Sequence, residues 1–295
     1  MRTPAVQVRN LRKSYGGRAV VDDVSFDIAR GETFALLGPN GAGKSTTVEI
    51  LEGYRRREGG EVEVLGVDPA VGGLDWKARL GIVHQTTGQA GLVTVREQLR
   101  QFAGFFPNAR DVDEVISAVG LSAQAGTRIG KLSGGQQRRV DVALGIVGRP
   151  DLLFLDEPTT GFDPVARREF WELIRGLQAD GATILLTTHY LDEAEQLADR
   201  AGVIAAGRLR AIGRLDTLGG PGVRVPIVRW LEAGVRREAR ADDPLAFATA
   251  LAQRLGGEPA ELEIVRPGLE DIYLNLVAEA AASDLTESHE KEVAR

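Results

Sequence analysis

Hydrophobic and polar positions alternate through the first thirty residues and predict short strands. Val6 to Asn10 alternates, as does Ala19 to Ile28, and Gly16-Gly17 lies in a turn between them. Thr33 to Leu37 is a continuous apolar run, which is typical of a strand buried on both faces of a parallel sheet. A glycine-rich turn follows, and the apolar residues of Lys44 to Glu52 have helical spacing. A strand, a glycine turn and a helix in this order predict the start of an α/β domain.

The pattern changes in the middle of the chain and then returns. From about residue 86 to residue 148 the apolar spacing is helical. Apolar strands return at Asp151 to Asp156 and at Ala182 to Thr188, and Val203 to Ile212 is typical of a β-hairpin. The sequence therefore predicts a sheet that is interrupted by a helical insertion.

The sequence from Gly219 to Gly222 breaks this pattern. Beyond it, an extended segment is predicted from Val223 to Leu231, and alternating helical and extended segments follow. We expect a first domain over residues 1–218, a small accessory α+β domain over residues 219–282 and a polar tail over residues 283–295.

Composition restricts the function further. The chain has 295 residues with 43% apolar and 26% charged residues, which is ordinary for a soluble globular protein. The net charge of −6 argues against a nucleic-acid partner. The absence of cysteine excludes disulfides, thiolate metal sites and cysteine nucleophiles. No apolar run approaches the ~18 to 20 residues of a membrane helix, so we expect a cytosolic polypeptide that reaches a membrane only through a partner.

The strongest chemical motif lies between the first parallel strand and its helix. Residues Gly38 to Ser45, GPNGAGKS, match the P-loop pattern G-x-x-x-x-G-K-S/T at every fixed position. The glycines let backbone N–H groups turn towards phosphate oxygens at the start of a helix. We expect Lys44 to reach the β- and γ-phosphates and the Ser45 hydroxyl to bind Mg²⁺. The predicted nucleotide-binding residues here are Gly38, Pro39, Asn40, Gly41, Ala42, Gly43, Lys44, Ser45 and Thr46.

A second motif ends the next apolar strand. Leu152 to Leu155 is followed by two adjacent carboxylates, Asp156 and Glu157. Ligands of parallel sheets bind at the carboxyl edge of the strands. We expect Asp156 to hold Mg²⁺ through water and Glu157 to polarise the water that attacks the γ-phosphate.

A third motif, LSGGQ, spans Leu132 to Gln136 at the start of a helical pattern. With the P-loop before it and the Leu-Asp-Glu strand after it, the sequence resembles the ATP-binding cassette of ABC transporters, for which LSGGQ is the signature. The resemblance covers about Val6 to Gly213. It implies an α/β P-loop NTPase (RecA-like) core with an antiparallel β subdomain, a helical insertion and a small C-terminal α+β appendage. It also implies an ATPase with ATP and Mg²⁺ as cofactors.

The resemblance implies roles for further residues. Tyr15 matches the aromatic residue that stacks on adenine, and Gln85 matches the Q-loop glutamine that contacts Mg²⁺ or the attacking water. His189 matches the switch histidine that bonds the γ-phosphate. Asp163 matches the D-loop aspartate, although Phe162 before it stands where the family more often has leucine. The implied signature residues are Ser133, Gly134, Gly135 and Gln136, and the implied catalytic residues are Lys44, Gln85, Glu157 and His189.

Family members pair head to tail, with the signature of one chain closing over the P-loop of the other. The resemblance therefore implies a homodimer with two equivalent sites that drives a separate membrane permease from the cytoplasmic face of the cell membrane. The segments Thr188 to Glu195 and Pro267 to Leu274 resemble those of ABC-2 type exporters, notably the daunorubicin-resistance ATPases. This implies export of a hydrophobic compound, an antibiotic, a lipid or a glycan.

A soluble ATPase of the same family, acting in translation or DNA repair, is the alternative. Such proteins usually fuse two cassettes in one chain or carry a long coiled coil, and this sequence has one cassette and no heptad array. P-loop kinases and GTPases are excluded, because neither needs LSGGQ. Transport is therefore the favoured function, and the cargo is chosen by the permease.

Overall fold

The computed structural model describes residues 4–84 and 91–280. They form two compact units whose boundary lies between Ile212 and Gly213. In chain order the strands and helices of the first unit are β1 (Val6–Tyr15), β2 (Arg18–Ile28), β3 (Thr33–Leu37), α1 (Lys44–Leu51), β4 (Gly59–Val64), α2 (Leu74–Lys77), β5 (Leu80–Val83), α3 (Val95–Ala103), α4 (Val112–Ala118), α5 (Gly134–Ile146), β6 (Leu152–Asp156), α6 (Pro164–Ala179), β7 (Thr183–Thr188), α7 (Leu191–Leu197), β8 (Arg200–Ala205) and β9 (Arg208–Arg214), the last of which crosses the boundary.

The central sheet of the first unit has the strand order β5-β6-β7-β3-β8-β9. Strands β5, β6, β7, β3 and β8 pair in parallel, and every residue of β3 and β7 is buried. This explains their continuous apolar runs, because a parallel strand covered on both faces has no polar side. The register sets Leu37 beside Thr188 and Asp156 beside Thr187. The ends of these strands, and the loops that follow, therefore share one edge.

A second sheet pairs β1 antiparallel with both β2 and β4. The apolar positions of the alternating sequence form the buried face of this sheet, and Val6, Val8 and Leu11 of β1 are fully buried. Strand β1 extends to Tyr15, beyond the alternation that ends at Asn10, and register shifts interrupt its pairing with β2 after Val8. This is the expected antiparallel β subdomain.

The helical part lies between β5 and β6. Helix α3 begins in a capping box in which Thr94 and Glu97 satisfy each other's backbone N–H groups, and it buries Val95 and Leu99 as the i, i+4 spacing predicted. Helices α4 and α5 follow, and Val115 and Ile116 of α4 are buried as well. The fold class inferred from the sequence is thus confirmed.

The second unit contains a three-stranded antiparallel sheet with the order β11-β10-β12. Its elements are β10 (Ile227–Glu232), β11 (Val235–Arg240), α8 (Pro244–Leu255), β12 (Ala260–Val265) and a helix α9 over residues 269–280. Helix α8 packs on the sheet through Leu251, which forms a small core with Val228 and Trp230. The extended segment predicted from Val223 begins later, because Pro221–Arg224 is a 3₁₀ turn.

Candidate functional site

The P-loop closes tightly around the start of α1. A Cβ on Gly38 would lie 2.2 Å from the carbonyl oxygen of Ile204, and Gly43 has a φ of +105° with the Val20 carbonyl 2.5 Å from its missing Cβ. Only glycine fits such positions without shifting the backbone. Gly43 is the N-cap of α1, and no side chain caps this helix. The N–H groups of its first turn are therefore oriented for an anionic ligand.

The Lys44 side chain is buried inside the P-loop. Its side chain is 5% exposed, and its Nζ donates to the carbonyl oxygens of Gly38 at 2.7 Å and Pro39 at 3.2 Å. Burial lowers the pKa of this ammonium, while the nearby carboxylates of Glu157 and Asp156 oppose that shift. A desolvated cation at the start of a helix is a strong attractant for phosphate.

Glu157 faces the same ammonium. One of its carboxylate oxygens, Oε1, lies 3.8 Å from Lys44 Nζ and 3.4 Å from His189 Nδ1. The three side chains come from the P-loop, the end of β6 and the end of β7, so the parallel sheet brings them together. The structure thus brings together three of the residues for which the resemblance implies catalytic roles.

The backbone at Glu157 is unusual for a residue with a side chain. Its φ is +44°, in the left-handed region, where residues other than glycine are uncommon. Its N–H donates to the carbonyl oxygen and the hydroxyl of Thr187, both at 3.1 Å. The same Thr187 hydroxyl donates to Asp156 Oδ1 at 2.5 Å. Thr187 thus fixes two adjacent acidic residues at the sheet edge.

A cavity of about 360 Å³ lies over the P-loop. Its lining residues are Val20, Asn40, Gly41, Gly43, Lys44, Ser45, Thr46 and Glu157. Ser45 contributes a hydroxyl to this lining, and Asp156 is close enough to Lys44 to oppose the lowering of its pKa by burial. Hydroxyl and carboxylate oxygens are ligands that Mg²⁺ prefers, so these residues fit that ion.

The LSGGQ residues form the first turn of α5. The Ser133 hydroxyl accepts from the Gln136 N–H at 3.3 Å, and the Gln136 side chain accepts from the Ser133 N–H at 3.0 Å. This capping box fixes the start of the helix. Ser133, Gly135 and Gln136 line a second cavity of about 240 Å³, which shares no lining residue with the P-loop cavity. Within one chain, the signature and the P-loop therefore serve different cavities.

Two further predicted residues, Tyr15 and Asp163, stand apart from this cluster. Tyr15 ends β1, with the Lys13 ammonium 5.2 Å and the Arg55 guanidinium 5.6 Å from the centre of its ring. Asp163 is the N-cap of α6, and its Oδ1 accepts the N–H groups of Val165 and Ala166 at 2.9 Å. Gln85 lies outside the described residues.

Sequence reasoning missed two residues that organise the site. Nothing in the sequence distinguishes Thr187 from the other β-branched residues of its buried strand. Arg138 forms an ion pair with Asp141 on its own helix, as a local partner of the signature helix would, and its contacts beyond that helix were not predicted. Its guanidinium donates to the backbone of residues far away in the chain. The spacing held a signal, because Arg138 precedes buried Val142 and Ile146 at helical intervals of four.

The sequence matches known proteins over most of its length. The family model for "ABC transporter" matches residues 21–160. The "Nod factor export ATP-binding protein I" of Rhizobium johnstonii is 43% identical over 293 residues, covering 92% of this chain and 94% of that protein. The protein of the same name from Burkholderia orbicola is 36% identical over 299 residues, covering 94% of this chain and 98% of that protein.

Solved structures agree with the fold. An ATP-binding subunit of an ABC transporter matches with a TM-score of 0.65 and 30% identity, over 72% of this chain and 91% of that chain. The dimeric structure of a bacterial ABC transporter cassette matches with a TM-score of 0.64 and 24% identity, over 71% of this chain and 98% of that chain. In the part of the chain that the structure describes, no helix has the length and apolarity to cross a membrane.

Proposed function

The chain belongs to the family of ABC transporter ATP-binding proteins, and on this basis we propose that it hydrolyses ATP at the P-loop cavity and energises a membrane permease that exports its cargo. The observation that carries the proposal is the meeting of Lys44, Glu157 and His189 at one sheet edge, beside a P-loop cavity. The soluble alternative is not favoured, because relatives that match over nine-tenths of the chain are named as export proteins.

Each residue at the cavity has a role in this proposal. Lys44 and the N–H groups of the first turn of α1 bind the phosphates. Glu157 accepts a proton from the water that attacks the γ-phosphate, and His189 orients that phosphate beside the carboxylate. Tyr15 stacks on adenine. The remaining P-loop residues, from Gly38 to Thr46, enclose the triphosphate.

Ser45, Gln85 and Asp156 would hold Mg²⁺ in this proposal. When bound, the ion would neutralise charge on the β- and γ-phosphates. Thr187 orients the Asp156 carboxylate through the hydrogen bond to Oδ1. Because the same threonine accepts the Glu157 N–H, the chain sets both acidic groups from one point on β7.

A complete site needs two copies of this chain. The signature residues and the P-loop line separate cavities in one chain, which supports a head-to-tail homodimer in which each signature closes over the partner's P-loop. Ser133, Gly134, Gly135, Gln136 and Asp163 then act across the interface. Closure on ATP and opening after hydrolysis would drive the permease.

The names of the relatives support export as the direction of transport. Those proteins are named for the export of Nod factor, and we extend export, without that cargo, to this chain. The permease is of the ABC-2 type, the chain lies at the cytoplasmic face of the membrane, and the cargo is a hydrophobic compound, an antibiotic, a lipid or a glycan. Antibiotic cargo would make this a multidrug-resistance protein.

The deciding experiment uses a tagged Glu157→Gln variant. Without the carboxylate we expect ATP to bind and hydrolysis to fall by about a hundredfold or more, since general-base catalysis contributes factors of 10² to 10⁴. The variant should form an ATP-dependent dimer on size exclusion and retain an integral membrane protein when purified from native membranes in mild detergent. Lys44→Ala is the matched control, because it should abolish ATP binding and with it the dimer.

Two results would contradict the proposal. Hydrolysis at the wild-type rate by Glu157→Gln would remove this residue as the general base. Co-purification of ribosomes or DNA, with no membrane protein, would instead indicate that this chain is a soluble ATPase of the same family.

A further inference from the structure

Arg138 is a buried cation that bonds to backbone carbonyl groups. The residue is 6% exposed, and its Nε donates to the carbonyl oxygen of Pro158 at 3.0 Å. Its Nη2 donates to the carbonyl oxygen of Asp156 at 2.9 Å, and its Nη1 donates to that of His84. Its three side-chain nitrogens therefore bond to three carbonyl groups, one at the end of β6, one in the loop that follows it and one after β5.

Two of those carbonyl groups flank Glu157. Asp156 precedes it and Pro158 follows it, so the guanidinium holds the peptide group before the residue with φ at +44° and the one between Pro158 and Thr159. Residues other than glycine keep such a conformation only where their surroundings impose it. Thr187 fixes the Glu157 N–H from one side, and Arg138 fixes the neighbouring carbonyl groups from the other.

A nearby carboxylate forms an ion pair with this guanidinium but no hydrogen bond. Asp141, three residues further along α5, has its Oδ2 3.8 Å from Arg138 Nη1, and this oxygen is buried without a hydrogen-bond partner. Arg138 thus directs its hydrogen bonds to neutral carbonyl groups, although a partly buried carboxylate lies within ion-pair distance. The rigid fork of arginine matches this task better than the single nitrogen of lysine.

We propose that Arg138 is a positioning residue for ATP hydrolysis, which clamps the backbone around Glu157 and so fixes the direction of its carboxylate. The inference rests on the proposed function, because it takes Glu157 as the general base. Arg138 stands on α5, which begins with the LSGGQ signature. In a head-to-tail dimer the clamp would link the signature of one site to the general base of the other site through a single chain.

The first test compares Arg138→Lys with Arg79→Lys, the same change at an arginine that lines neither the P-loop cavity nor the signature cavity. Arg79 bonds to the Leu65 carbonyl and the Asp151 carboxylate, away from Glu157. For Arg138→Lys we expect kcat to fall at least about tenfold with the KM for ATP unchanged, because small misplacements of a catalytic group cost large factors in rate. Arg79→Lys should keep the wild-type kcat. An unchanged kcat in Arg138→Lys would overturn the proposal.

The second test asks which site the arginine serves. Mixed dimers, in which one chain carries Glu157→Gln, hold one active general base. Adding Arg138→Lys to the chain that keeps Glu157 should reduce the remaining activity at least about tenfold. Adding it to the Glu157→Gln chain should leave the activity of the mixed dimer as it was. Loss in the second arrangement alone would assign Arg138 to the signature and overturn the clamp.

The third test needs neither hydrolysis nor a dimer. Without nucleotide, hydrogen exchange of the peptide spanning residues 155–160 should be faster in Arg138→Lys than in wild type, and unchanged in Arg79→Lys. If wild type hydrolyses no ATP, the proposed function fails while this measurement still decides the clamp. Equal exchange in wild type and Arg138→Lys would show that the backbone around Glu157 holds its conformation without Arg138.

Discussion

Lys44 and Glu193 are both buried ionisable residues, but their surroundings differ. Lys44 has two carbonyl acceptors and a carboxylate nearby. Glu193 is fully buried in α7, and neither of its carboxylate oxygens has a hydrogen-bond partner of ordinary geometry. Burial raises the pKa of Glu193 to about 7, while Thr188, Thr159 and Arg167 oppose this shift. A buried carboxyl group without good hydrogen-bond partners destabilises the folded state at high pH, where the group must be ionised.

This gives a prediction for stability against pH. The folded-state pKa of Glu193, about 7, exceeds its unfolded value of 4.5, so the folded state binds more protons between these values and stability falls as pH rises through this window. Glu193→Gln cannot lose that proton. We expect its free energy of unfolding, relative to wild type, to rise by roughly 2 kcal/mol between pH 5 and pH 8. Urea unfolding at both pH values measures this difference.

Glu195→Gln is the control for that measurement, since Glu195 is exposed on the same helix. Its unfolding free energy should follow that of wild type at both pH values. A constant difference between Glu193→Gln and wild type across the whole range would show that Glu193 does not gain a proton in the folded protein.

Helices α5 and α6 show how the same residue type has opposite consequences in different elements. Both helices contain a glycine in their interior, Gly145 in α5 and Gly176 in α6. Gly176 is exposed, and a Cβ added there would meet nothing within 4 Å. At Gly145 the Cβ would lie 3.0 Å from Val83 Cγ2, where α5 packs on β5. Packing therefore requires glycine at position 145. At position 176 no contact requires glycine, and its low helix propensity is a cost without a gain.

Gly176→Ala should stabilise the protein by about 0.5–1 kcal/mol, because alanine loses less backbone entropy than glycine on entering a helix. Thermal unfolding should show a rise in Tm of about 2–4 °C per kcal/mol for a domain of this size. Gly145→Ala is the matched substitution and should lower the Tm. A fall in Tm for Gly176→Ala would mean that this position of α6 is covered by something outside the described residues.

At the scale of the whole molecule, the residues that line the P-loop cavity and the signature cavity all belong to the first unit. The P-loop, β6, β7 and α5 lie within Met1–Ile212, and the sheets that position them are paired within the same unit, apart from the last residues of β9. The second unit has a sheet and a small core of its own. A unit with its own sheet and core can fold independently.

We therefore expect a fragment of residues 1–218 to fold and to bind ATP with a Kd within about threefold of that of the full chain. Circular dichroism and titration with a fluorescent ATP analogue measure these two properties. The fragment with Lys44→Ala is the control for binding at the P-loop. An unfolded or aggregated fragment would show that the first domain needs residues 219–295.

The sequence by itself determined the features that depend on local pattern. Alternation and apolar runs predicted most of the strands, and G-x-x-x-x-G-K-S/T and LSGGQ predicted the phosphate loop and the helix start that the structure contains. Strand β11 was missed, because in Val235–Arg240 charged residues occupy both faces of an exposed strand and no period of two remains. Helix α6 was missed as well, although Asp163 caps it and Pro164 opens it.

Only the tertiary structure decided how these elements act together. Parallel pairing of β3, β6 and β7 carries Lys44, Glu157 and His189 to one edge from positions far apart in the sequence. Arg138 on α5 likewise donates to backbone carbonyl groups at the ends of β5 and β6, where the helix packs on the sheet. Backbone carbonyl groups carry no signature in a sequence, because every residue has one. Which of them a buried guanidinium reaches is set by packing alone.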